Sequence, residues 1–135
     1  MRTSDRILGA LLIVGAVVTI AYWVNYFMAG DVRVIDAKWY TAFEDAFPVA
    51  DGWMALCMLV AGFGLWRGTR EGALFGLMAG SALMYLAALD ITFNVEHGLY
   101  ALVPISGPML TEAAINMASL MLGTATLIFC WERAR

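Results

Sequence analysis

The chain has 135 residues, 62% of them hydrophobic and only 14% charged, with a formal net charge of -3. A soluble domain is roughly half apolar and a quarter charged, so this composition is that of a membrane protein, a single transmembrane domain over 1–135 with no room for a separate soluble one. The negative balance and the lack of a basic tail exclude nucleic acid as a partner and leave the lipid bilayer as the obvious one.

A helix needs about 20 apolar residues to cross a ~30 Å hydrocarbon core. Residues 7–29 form the first such run and carry no charge. Arg2 and Arg6 precede it, as they would in a signal peptide, but the run exceeds the ~7–15-residue core of one and is expected to be retained. Between 29 and 48, Val32, Ile35, Trp39, Phe43 and Phe47 recur near the helical period, with Asp36, Lys38, Thr41, Glu44 and Asp45 between them. Either a short amphipathic helix on the outer surface or a loop with aromatic anchors fits this pattern. Residues 48–66, 72–92 and 109–131 supply three more spans, which carry Asp51, Asp90 and Glu112 respectively. The fold class that follows is all-α, an integral membrane four-helix bundle running up-down-up-down.

Arginine sets the expected orientation. With an even number of spans, Arg2, Arg6, Arg67, Arg70, Arg133 and Arg135 fall on one side, and only Arg33 and Lys38 on the other. Both termini are therefore expected in the cytoplasm, in a plasma or inner membrane. Gly72, Gly76 and Gly80 form a stripe on the third span that invites close helix packing, against span two or against a second copy in a homo-oligomer. Cys57 and Cys130 read as small apolar core residues at different depths, not as a disulfide.

The uncommon polar residues collect at the outer end, because helices running up and down contribute from opposite termini. Asn25 ends span one, Asp51 opens span two, Asp90 and Asn94 end span three, and Glu112 and Asn116 open span four. Asp90, Asn94 and His97 have i, i+4, i+7 spacing, as do Glu112, Asn116 and Ser119, so each set shares a helix face. At 1.5 Å per residue, Glu112 lies ~31 Å from Arg133 and Asp90 ~30 Å from Arg70, level with the outer edge of the hydrocarbon. Pro48 and Pro108 put Asp51 and Glu112 near helix N-termini, where an anion is favoured by roughly 0.3–1 kcal/mol without any function. Asp90 lies near a helix C-terminus, where the dipole opposes an anion, so it is the carboxylate that structure explains least.

The expectation is an outward-facing acidic pocket that binds a small amphipathic or cationic, lipid-like ligand. Asp90, Glu112 and His97 are its candidate acid–base groups. Asn25, Asp51, Asn94, Asn116 and Met58 are its candidate binding residues. Whether it also catalyses proton transfer or isomerisation is left open by the residues. Two other readings compete: a non-catalytic subunit of a larger membrane complex, and a proton- or cation-coupled dimeric transporter. The single histidine excludes bis-histidine haem, two cysteines exclude a four-cysteine cluster, and no glycine-rich phosphate loop is present. No cofactor or metal is assigned, although Asp51, Asp90, Glu112 and His97 are the set a hard cation would use.

Overall fold

In the computed structural model, which describes residues 2–135, every regular element is helical. The order is α1 (Thr3–Met28), α2 (Lys38–Glu44), α3 (Pro48–Arg67), α4 (Arg70–Glu96), a 3-10 turn (Leu99–Leu102) and α5 (Gly107–Ala134). The four longest helical stretches are long and apolar enough to cross a membrane. Helix ends follow local chemistry. The backbone N–H of Arg2 donates to Asp5 Oδ2 at 2.9 Å, which starts α1 before the apolar run begins. Pro48 opens α3, and Gly68, at φ 67°, closes it in a left-handed conformation that a side chain would resist. Thr69 and Ser106 accept from the N–H of Gly72 and Met109, capping α4 and α5. Of the two readings for the segment before α3, a short helix forms, but it covers only Lys38–Glu44.

The core is built from small and thin residues. Leu12, Ala16, Cys57, Ala61, Ala79 and Cys130 are fully buried. Ile7, Val14, Val17 and Phe27 on α1, each more than half exposed, face outward instead. Apolar bulk outside and small residues inside is the arrangement expected where lipid replaces water around a bundle. Both cysteines are free and buried.

Close pairs fix the neighbours. From α1 to α3, Trp66 Nε1 donates to the Arg6 carbonyl at 3.1 Å, Gly9 abuts Gly62, and Trp23 Nε1 donates to Asp51 Oδ2 at 2.7 Å. Numbering thus falls along α3 as it rises along α1. The glycine stripe is used within the chain and is shared between two neighbours. Gly72 lies against the backbone of Gly64 on α3, while Gly76 meets Cys130 and Gly80 meets Gly123 and Leu127 on α5. The helices form a row, α1–α3–α4–α5, in which each packs closely on the next, whereas α1 and α5 scarcely touch.

Asp5, to which the sequence drew no attention, is buried and paired with Arg133 Nη2 at 2.6 Å. The end of the bundle that carries the arginines therefore also holds a buried carboxylate, where the sequence suggested nothing comparable. Thr126 is fully buried towards the same end.

Candidate functional site

At the opposite end, near Asp51, the helices enclose a cavity of about 80 Å³. That is room for a handful of water-sized groups at ~10–15 Å³ each. Its floor is apolar, made by Met54 of α3, Leu83, Leu86 and Ala87 of α4, and Ile115 of α5. Val18, Thr19, Tyr22 and Trp23 supply the α1 wall, and Asn116 and Ser119 complete α5. Four carboxylates line it, from Glu44, Asp51, Asp90 and Glu112, and no lysine, arginine or histidine does.

Three of these acids converge. One carboxylate oxygen each from Glu44, Asp90 and Glu112 lies within 4.8 Å of the others. Asp90 is 9% exposed, and Glu44 and Glu112 are 4% exposed. Asn94 ties two of them together: its Nδ2 donates to Glu112 Oε1 at 2.6 Å and to Asp90 Oδ2 at 3.5 Å. The Tyr40 hydroxyl donates to Glu112 Oε2 at 3.4 Å. Two polar atoms here are buried without a hydrogen-bond partner, Glu44 Oε1 and Asn94 Oδ1. Buried polar atoms are nearly always paired, so unpaired ones at a cavity mark a place where another group belongs. An all-oxygen set of this kind is what a hard cation takes.

Glu44 was missed as a site residue because it falls among the polar positions of a surface segment. The available signal was spacing: Tyr40, Glu44 and Phe47 follow i, i+4, i+7 and turn one face inward. The other face of α2 carries Trp39 and Phe43, and Phe43 stacks on Phe93 of α4 with ring centroids 3.8 Å apart. Tyr26 Oη donates to Asp45 Oδ1 at 3.2 Å at the end of the same helix. These aromatic contacts hold α2 across the cavity mouth.

Among the sequence candidates, Asp90, Glu112, Asp51 and Asn116 line the cavity and Asn94 lies behind it. Asn116 Nδ2 also donates to the Tyr100 hydroxyl at 2.9 Å. Three candidates are elsewhere. His97 caps the end of α4 with non-helical dihedrals, its Nδ1 lies 2.8 Å from the Phe93 carbonyl, and its exposed ring stacks on Trp39. Asn25 Oδ1 accepts from the Val32 N–H and shapes the turn after α1. Met58 is sealed in the core beside Gly15. Asp90 also needs a new reason. Because α4 runs on to Glu96, Asp90 lies more than a turn inside it, where the end-of-helix dipole has faded. Burial, not the dipole, sets it apart. No family model, curated protein or solved structure matches the chain.

Proposed function

We propose that the chain is an integral membrane protein whose spans run up-down-up-down with both termini in the cytoplasm, and that its outward-facing acidic pocket binds a small organic cation with an apolar part. The observation that carries this reading is Glu44. Its Oε1 is buried at the cavity and unpartnered, within a trio of carboxylates that no basic side chain balances. Two unit charges ~4 Å apart interact by about 4 kcal/mol at the effective dielectric typical near a protein surface, so the trio strongly favours a positive partner. An ammonium group supplies both the charge and the donor that Glu44 Oε1 lacks. The apolar floor favours an organic cation over a bare metal ion, which has no use for Met54, Leu83 and Ile115. If the bound molecule also reacts, Asp90 and Glu112 are the pair placed to move a proton. His97 is not, because it lies outside the cavity.

One feature weighs against a purely structural subunit: the glycine stripe faces inward, so those glycines do not offer a close-packing face to a partner helix.

The test of the pocket is direct binding. The purified protein in neutral-lipid nanodiscs should bind dodecylamine saturably, and Glu44→Gln should weaken that binding about tenfold or more, equivalent to about 1.4 kcal/mol. Equal binding by the two would sink the reading. Orientation has its own test. A cysteine at position 38 should react with an impermeant thiol reagent on intact cells, and labelling only after lysis would reverse the topology.

A further inference from the structure

The boundaries of the cavity differ from side to side. Above it lies α2, with Tyr40 fully buried and Glu44 and Phe47 turned in. Below it the core is packed around Leu12, Ala16 and Met58. Towards α3, the Trp23–Asp51 hydrogen bond closes the wall. Towards α4 and α5, Asn94 and Glu112 are joined. The remaining side is the seam between α1 and α5. These two helices are fastened by Asp5–Arg133 at the far end, and Leu122 reaches towards Gly15 midway. Beyond that point Val18 and Ser119 line the cavity from opposite edges of the seam, and Val18 is 47% exposed although it forms cavity wall.

Resting on the binding reading above, we infer that the seam between α1 and α5 is a lateral portal, and that the ligand is a single-chain amine. Its ammonium sits at Glu44, Asp90 and Glu112 while its hydrocarbon tail lies out through the seam into the outer leaflet. Size and charge support the inference independently. A cavity of about 80 Å³ takes a headgroup but not a whole amphiphile. The carboxylate trio selects a cationic head and repels anionic ones. The strip of α1 beside the seam, Val14 and Val18, is apolar and exposed, as a tail requires.

The test uses dodecylamine carrying a diazirine at the far end of its chain, photolysed with the whole protein in neutral-lipid nanodiscs. Labelling that excess dodecylamine competes away should concentrate on peptides of α1 and α5 that flank the seam, at least tenfold above the outward face of α3. Competable labelling concentrated on α3, or spread evenly over the lipid-facing surface, overturns the portal and leaves the binding site standing. The absence of any competable labelling removes the amine-binding reading and the portal with it.

Discussion

Asp90→Asn should fold as the wild type does and lose amine binding. The substitution keeps the shape and removes one charge from a buried group of three acids. Asn94 can still donate to the side-chain oxygen that remains. With the like-charge crowding reduced, thermal stability in detergent should equal or exceed that of the wild type. Binding loses a charge-assisted partner, which is worth roughly 1.5–3 kcal/mol, or about 10–100-fold. Glu112→Gln is the informative companion, because Glu112 is also structural. Its two oxygens accept from Asn94 and Tyr40, and an amide would set a donor against one of them. That variant should lose about 1–3 kcal/mol of stability as well as binding. If Asp90→Asn is stable and binds dodecylamine as the wild type does, the carboxylates are ordinary polarity at a membrane edge.

The second large effect is expected at Gly72. A Cβ there would strike the Gly64 carbonyl carbon and come 2.5 Å from Leu65 N. Both are backbone atoms held by the tight Gly68–Thr69 turn, so they cannot rotate aside as a side chain would. Gly72→Leu should force α3 and α4 apart and cost about 3 kcal/mol or more, at the upper end of overpacking. Gly76→Leu meets Cys130 first, a side chain with some freedom, and should be disruptive but less so. Leu74→Ile, at a position 42% exposed, should be near neutral. Thermal unfolding of the three variants in detergent ranks them, and a Gly72→Leu protein as stable as Leu74→Ile would mean that α3 and α4 do not pack through these glycines.

What the sequence revealed and what it hid divides along one line. Patterns within a single helix were legible. Apolar runs gave the long helices, and i, i+4 spacing put Asp90 with Asn94 and Glu112 with Asn116 on shared faces that do meet. Features that depend on how one element lies against another were hidden. Glu44 becomes part of the site only because α2 folds across the mouth on its aromatic side. Asp5 becomes buried only because Arg133 closes over it. His97 has the right spacing from Asp90, but the helix ends there and its ring is drawn outward onto Trp39. Met58 has the right depth but faces the core. The glycine stripe announced close packing without saying that Gly72 and Gly80 would serve different neighbours.

The Asp5–Arg133 pair has a mechanical consequence. α1 is bound to α3 along its length, from Arg6–Trp66 to Trp23–Asp51, so those two helices move as one stiff beam. Directly against α5, α1 is held by the Asp5–Arg133 pair at the far end and meets Leu122 at Gly15 midway, with nothing among the described residues fastening the two beyond that point. Displacement about a pivot grows with the lever arm, and Tyr22 lies ~26 Å along the helix from Asp5 at 1.5 Å per residue. A tilt of about 5° therefore moves the cavity end by about 2 Å while the pinned end stays shut. Relative motion of α1 and α5 is thus greatest at the cavity end of their seam.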